Sequence, residues 1–139
     1  MTKLYTIGEL SQIFNAKTEN IFSDLLVHGF SIDSRTLKPG ELFFCIKGDN
    51  TDGHHYISEA LVKGACAVVV DAVSIPEVLQ QSSFPRILVP DPNRAFREWA
   101  ADMRKRFTGE VLAVTGSNGK TTTKEILAGL CRHLDPNAY

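Results

Sequence analysis

The stretch VLAVTGSNGKTTTKEIL, Val111 to Leu127, sets an apolar run, a glycine-rich turn and the start of an amphipathic pattern in direct succession. Such a turn aims several backbone N–H groups and the positive end of a helix dipole at one point, which is what a triphosphate needs. Gly116 and Gly119 let the chain bend and come close to phosphate; Lys120 is placed to reach the β- and γ-phosphate oxygens, and the Thr121 hydroxyl to ligate Mg²⁺. The common pattern GxxxxGK[ST] asks for glycine where this sequence has Val114, so the loop is the shorter GSNGKT. An ordinary tight turn between strand and helix is the competing reading. The run Thr121 to Thr123 weighs against it, because β-branched hydroxyl residues are indifferent helix starters and gain from serving a ligand.

A second cluster is DSRT, Asp33 to Thr36, followed by KGDNTDG, Lys47 to Gly53, across what reads as a hairpin. Hydroxyls, amides and one cation suit a base, a ribose and a diphosphate, since arginine and backbone N–H groups both bind phosphate oxygens. Local turn capping by Asp33, Ser34 and Asp52 accounts for the same residues equally well. Two metal readings fail. A calcium loop with glycine sixth at Gly53 and Glu59 twelfth has Gly48 where its first carboxylate belongs. His54 and His55 are adjacent, so they diverge on a helix start and read as solvated cap residues.

The elements that must position these groups follow from pattern. Thr6 with Glu9 three residues on predicts a capping box, with Ile7, Leu10, Ile13 and Phe14 sharing one helix face. Strands are predicted from Phe30 to Asp33 and Leu42 to Ile46, with a turn at Pro39-Gly40. A helix through Ile57, Ala60 and Leu61 stops at Gly64; Cys66 to Val70 reads as a strand buried on both faces. A further helix over 75–81 and a strand from Arg86 to Val89 follow. Asp91-Pro92 caps a long helix whose core face is Ala95, Phe96, Trp99, Ala100, Met103 and Phe107, with Trp99 assigned to packing. Glu110 to Thr115 is predicted as a buried strand. Alternating strands and helices indicate an α/β fold, parallel in part, with the best boundary at Pro90 to Asn93.

Composition narrows the function. The 139 residues are 43% hydrophobic, enough for one good core or one compact domain plus part of another. Fifteen basic against 16 acidic residues give a net charge of -1 with no basic block, which argues against a nucleic-acid partner. No apolar run suits a signal peptide or a membrane span, so a soluble cytoplasmic protein is expected. Cys45, Cys66 and Cys131 lie far apart in apolar stretches and read as buried free thiols.

Together, VLAVTGSNGKTTTKEIL and SIDSRTLKPGELFFCIKGDNTDGHHYISEALVKGACAVVV resemble the Mur ligases of bacterial peptidoglycan synthesis, over nearly the whole chain from Ile7 to Leu130. The resemblance implies a small N-terminal α/β domain with a mixed sheet, residues 1–90, that binds a UDP-sugar-peptide. The start of a P-loop α/β ATPase domain would follow at residues 91–139. It implies UDP-substrate contacts at Ile32, Ser34, Arg35, Asp49, Asn50 and Thr51, and ATP contacts at Gly116, Ser117, Asn118, Gly119, Lys120, Thr121 and Thr122. Lys120 would be catalytic and Thr121 would hold Mg²⁺. Ser117 and TTTKE are similar to the family member that joins D-alanyl-D-alanine to UDP-N-acetylmuramoyl-tripeptide. In that reaction an acyl phosphate made from ATP is attacked by the amine, and the protein's work is positioning and charge neutralisation. Addition of the third amino acid by a sister ligase, or a stand-alone nucleotide-binding module without ligase activity, are the alternatives. On the resemblance, the site for D-alanyl-D-alanine lies outside this chain, which alone is expected to be inactive.

Overall fold

The computed structural model describes residues 4–20, 22–73 and 75–136. They form two compact units, Met1–Phe107 and Thr108–Tyr139, each described by itself.

In chain order the first unit runs β1 (Tyr5–Thr6), α1 (Ile7–Ile13), β2 (Lys17–Glu19), β3 (Leu26–Val27), β4 (Gly29–Ser31) and β5 (Glu41–Phe44). A 3₁₀ turn (Gly53–Tyr56), α2 (Ile57–Val62), β6 (Ala67–Asp71), α3 (Glu77–Gln80), β7 (Arg86–Val89) and α4 (Pro92–Arg106) follow. The main sheet has the order β2-β7-β6-β5-β4, and β1 pairs with β3 in a separate ribbon. β4 to β7 run parallel, and only the edge strand β2 is antiparallel to its neighbour. The sheet is therefore mixed, as expected.

The period-two alternation of a strand sends neighbouring side chains to opposite faces. Leu42, Phe44, Ala67 and Val69 join the core with Ile7, Leu10, Phe14 and Ala95, from the α1 and α4 side. Phe43, Cys45, Val68 and Val70 join Ile57, Ala60 and Leu79, from α2 and α3. A parallel sheet covered on both faces needs continuous apolar strands, which is why Val68, Val69 and Val70 are all fully buried.

Local signals hold where their chemistry is present. Thr6 Oγ1 accepts from the Glu9 amide at 3.2 Å and Glu9 Oε2 accepts from the Thr6 amide at 3.0 Å, closing the capping box. Asp91 Oδ1 accepts from the Asn93 amide at 2.8 Å with Pro92 in the first helical position. Asp91→Ala is expected to cost about 1 kcal/mol, the usual worth of an N-cap, read from the urea midpoint of the first unit.

Several expectations change. The hairpin between the DSRT strand and the next is a parallel pair, with Phe30 opposite Leu42. Parallel neighbours cannot be joined by a tight turn, so residues 32–40 cross one face of the sheet and bury Leu37 in the core on the α2 and α3 side. The helix predicted over 75–81 is only Glu77–Gln80, since Pro76 stands extended at its N-cap.

The boundary placed at Pro90 to Asn93 falls instead between Phe107 and Thr108. α4 belongs to the first unit because Trp99 stacks at 4.1 Å on Phe30 and Phe96 meets Phe44 edge-on at 5.2 Å. The Tyr5 hydroxyl also donates to Asp102 at 2.8 Å, and Arg106 lies over the Tyr5 ring. Ala100 and Phe107, expected in the core face, are exposed: the buried stripe follows Ala95, Phe96, Trp99 and Met103, and Phe107 leaves the helix with extended torsions.

In the second unit α5 (Lys120–Leu134) forms as predicted, but Val111 to Val114 pair with no strand among the described residues. A strand exists through its ladder, and Val111 and Leu112 are more than half exposed.

Of the thiols, Cys45 is fully buried and burial raises it far above the usual cysteine range. Cys66 and Cys131 are only partly buried, and burial pushes Cys66 up to about 11.

Candidate functional site

The parallel pairing of β4 with β5 brings residues 32–35, which follow β4, and residues 45–52, which follow β5, to the same edge of the sheet. Carboxyl ends of parallel strands are where open α/β sheets bind ligands, so the fold unites two segments that the sequence separates.

The turn after β4 is held by its own side chains. Ser31 Oγ donates to the Asp33 carbonyl at 2.9 Å, and the Asp33 carbonyl accepts the Thr36 amide at 3.2 Å. Asp33 Oδ1 accepts from the Arg35 amide and from Arg35 Nε, both at 2.9 Å, while Arg35 Nη2 donates to Oδ2 at 2.7 Å. This two-pronged fork fixes the guanidinium plane although the Arg35 side chain is 83% exposed. It leaves part of the guanidinium free to bind an anion.

Hydrogen bonds from the Arg35 side chain and then its amide hold the Asp33 carboxyl down at about 2, from an ordinary 3.8. A depressed carboxyl stabilises the fork at pH above the ordinary value and loses that contribution as pH falls through the depressed one. The Asp33 carboxyl carbon is therefore expected to titrate in NMR with a midpoint of about 2. Arg35→Ala is expected to return that midpoint toward the ordinary range.

Ser34 departs from its expected place. It is 4% exposed, and its hydroxyl donates inward to Glu59 Oε2 at 2.8 Å. Ile32 is 52% exposed beside it. In the loop after β5, Asp49, Asn50 and Thr51 are exposed, and the loop is closed by the Gly48 amide donating to the Thr51 carbonyl at 2.8 Å.

Three residues besides those expected to touch the substrate position this loop. Asn93 accepts from the Lys47 amide at 3.0 Å and donates to the Lys47 carbonyl at 2.8 Å, tying the loop to the start of α4. Asp52 caps the 3₁₀ turn and pairs with His54 Nδ1 at 2.6 Å. Burial pushes the Asp52 carboxyl up, but the backbone and ring hydrogen bonds of His54 outweigh it and leave Asp52 lowered. His54 Nε2 faces the Asp71 amide at 3.3 Å, so Nε2 must accept and Nδ1 carries the proton. His54 is thus clamped between loop and sheet rather than solvated. Only His55, which is exposed, matches the cap reading.

The second cluster stands in the Thr108–Tyr139 unit. Gly116 and Gly119 have φ of +149° and +73°, torsions that other residues rarely adopt. Gly119 is the N-cap of α5 and has no side chain to satisfy the first-turn amides, which stay available to a ligand. Lys120 Nζ folds over the loop, donating to the Gly116 carbonyl and, at 3.5 Å, to the Ser117 carbonyl. Residues 116 to 125 are all exposed, Ser117, Asn118, Thr121 and Thr122 included.

Among the described residues no three or more His, Cys, Asp or Glu side chains gather to hold a metal. Mg²⁺ usually takes one or two protein ligands and completes its shell with phosphates and water. The Thr121 hydroxyl fits such a nucleotide-borne ion.

The chain is similar to known proteins over most of its length. The sequence pattern of the Mur ligase family, catalytic domain, matches residues 26–104, more than half of the chain. The UDP-N-acetylmuramoyl-tripeptide–D-alanyl-D-alanine ligase of Synechocystis is 40% identical over 111 residues, 80% of this chain and 24% of its own length. The crystal structure of MurF from Acinetobacter baumannii superposes with a TM-score of 0.78 at 25% identity, over 96% of this chain and 28% of that one. MurF from Thermotoga maritima, solved in complex with ADP, gives 0.59 at 35% identity over 81% of this chain and 25% of that one. The chain thus spans about a quarter of the length of the relatives it matches. On the family match and the shared fold, the chain belongs to the Mur ligase family.

Proposed function

We propose that this chain carries the UDP-binding part and the phosphate loop of an ATP-dependent ligase that joins D-alanyl-D-alanine to UDP-N-acetylmuramoyl-tripeptide in the cytoplasm. The observation that carries the reading is the convergence of the Asp33–Arg35 fork and the 47–52 loop at one sheet edge. Arg35 supplies the cation for a diphosphate, and the exposed Ile32 offers apolar surface to a base or ribose. Asp49, Asn50 and Thr51 add polar groups from the neighbouring loop. The wording of the phosphate loop and the names of the relatives favour D-alanyl-D-alanine over a single third amino acid as the group added.

In the second unit the amides of residues 116–122 and the Lys120 ammonium receive the ATP phosphates, with Thr121 holding Mg²⁺. The metal supplies charge neutralisation on the phosphates. Lys120 has three N–H donors, so a phosphate oxygen can be bound while the loop carbonyls are still held. Replacing it by methionine is expected to weaken ATP binding about tenfold or more, followed by displacement of a fluorescent ATP analogue.

α5 buries none of its residues, and Val111, Leu112, Ile126 and Leu130 are exposed. A reactive acyl phosphate needs a site closed to water, so the 139-residue chain by itself is expected to bind ligand without turnover. Titration calorimetry with UDP, GDP and CDP tests the first half of the proposal. UDP alone is expected to bind measurably. Equal binding of all three would sink it.

A further inference from the structure

The Lys63 ammonium has three acceptors: the Ser34 carbonyl at 2.7 Å, the Arg35 carbonyl at 3.0 Å and Glu59 Oε1 at 2.9 Å. An ammonium has three protons, so every one of them is used. The other oxygen of Glu59 accepts the Ser34 hydroxyl at 2.8 Å. Glu59 and Lys63 stand one turn apart on α2, a spacing that puts them on the same helix face. The result is a closed circuit that grips the 33–36 turn at three points: two successive carbonyls and one buried hydroxyl.

From this geometry we infer that Glu59 and Lys63 are positioning residues for diphosphate recognition: they hold the Ser34 and Arg35 carbonyls toward α2 and so set the direction in which Arg35 leaves the chain. Two successive carbonyls fixed on one cation leave the peptide planes of the turn little freedom. The opposite sides of those planes are fixed as well, since the Arg35 amide is held by Asp33 Oδ1 and the Thr36 amide by the Asp33 carbonyl. Arg35 itself is exposed, so neither packing nor burial orients it. Its aim comes from the fork to Asp33 and from the backbone beneath, which α2 holds.

Ionisation fits the same arrangement. Hydrogen bonds from Lys63 and then from Ser34 lower the Glu59 carboxyl, which favours the charged form that the circuit uses. Asp33 is the other carboxylate near this cation; the Arg35 fork engages it separately.

The inference rests on the reading of Arg35 as the residue that meets the diphosphate. The test measures UDP and uridine affinity by calorimetry for the parent chain and for Lys63→Met, Lys63→Arg, Glu59→Gln and Arg35→Ala, with amide exchange at residues 33–36. Lys63→Met is expected to weaken UDP about tenfold, leave uridine within about twofold, and speed exchange at the Arg35 and Thr36 amides. Lys63→Arg, which can still donate to two carbonyls and a carboxylate, is expected to recover most of the UDP affinity. Glu59→Gln keeps the shape without the charge, and is expected to fall between parent and Lys63→Met. It serves as the readout should Lys63→Met fail to fold.

If Arg35→Ala weakens UDP but Lys63→Met and Glu59→Gln do not, the positioning role is overturned while the site stands. Equal loss of UDP and uridine in either α2 variant also overturns it, because a merely structural defect has no reason to spare the nucleoside. If Arg35→Ala leaves UDP unchanged, the site reading falls and the inference with it.

Discussion

Arg35→Ala is expected to weaken UDP binding by about ten- to a hundredfold, since a guanidinium–phosphate contact is among the stronger charge-assisted hydrogen bonds. The loss has two parts. One is the missing cation. The other is Asp33, which the fork now balances with a positive charge and which the alanine variant would leave as an uncompensated anion beside a diphosphate. Removing both residues in Asp33→Ala/Arg35→Ala is therefore expected to recover part of the affinity lost in the single variant. Arg35→Lys should recover little, because an ammonium cannot hold the fork that fixes the guanidinium plane. The Arg35 side chain is mostly exposed, so the effect should shrink as salt rises through the range where the Debye length falls to about 10 Å and below. Calorimetry at two ionic strengths checks both parts. An Arg35→Ala affinity within twofold of the parent at low salt would contradict the account.

The second large effect is structural. Phe44→Ala is expected to destabilise the first unit by about 3–5 kcal/mol, the usual cost of emptying a fully buried phenylalanine site. Phe44 is 0% exposed and its ring meets those of Phe14, Phe30, Phe96 and Trp99 at 5.2 to 6.2 Å. These rings come from the C-cap of α1, from β4 and from α4, so one side chain links both helices on that face to the sheet. Trp99 is the only tryptophan of the chain, which makes its fluorescence a direct report on whether α4 stays docked. A drop in urea midpoint corresponding to less than about 1 kcal/mol would mean that the aromatic cluster does not hold α4 in the first unit.

The origin of α4's docking explains what the sequence could and could not show. Its cap, its length and most of its apolar stripe are periodic and local, so Asp91, Pro92, Phe96 and Trp99 were readable as a core-facing helix. Which core it faces is a long-range fact: the partners Tyr5 and Phe30 lie far back in the chain, and a proline-rich turn near residue 90 looks like a boundary whether or not the next helix returns. The parallel pairing of β4 with β5 was hidden for the same reason. Pro39-Gly40 does make a turn, with Gly40 at φ +83°, but it turns a crossover into its next strand rather than closing a hairpin.

The site was legible in its types more than in its geometry. The residues Asp33-Ser34-Arg35 and GSNGKT are visible because glycine, lysine, arginine and hydroxyl residues cluster there at spacings that few packing roles require. Glu59 and Lys63 look like an ordinary solvated pair one helical turn apart, and nothing local says that the turn of Ser34 and Arg35 lies against them. Ser34 shows the reverse case. Its type suggested a surface ligand group, while its hydroxyl is buried against Glu59. The predicted strand at Val111 to Val114 kept its apolar character and its exposure together, because a ladder requires a neighbouring strand that local sequence does not supply.

On the proposed function, the first unit receives a UDP group at the carboxyl ends of β4 and β5. Titrating UDP into the isotope-labelled chain and mapping backbone amide shifts decides whether it does. The largest shifts are expected at Ile32, Ser34, Arg35 and in residues 49–51, with the remaining strands of the sheet nearly silent. Shifts confined to the Gly116–Thr122 loop, or spread without focus over the first unit, would contradict it.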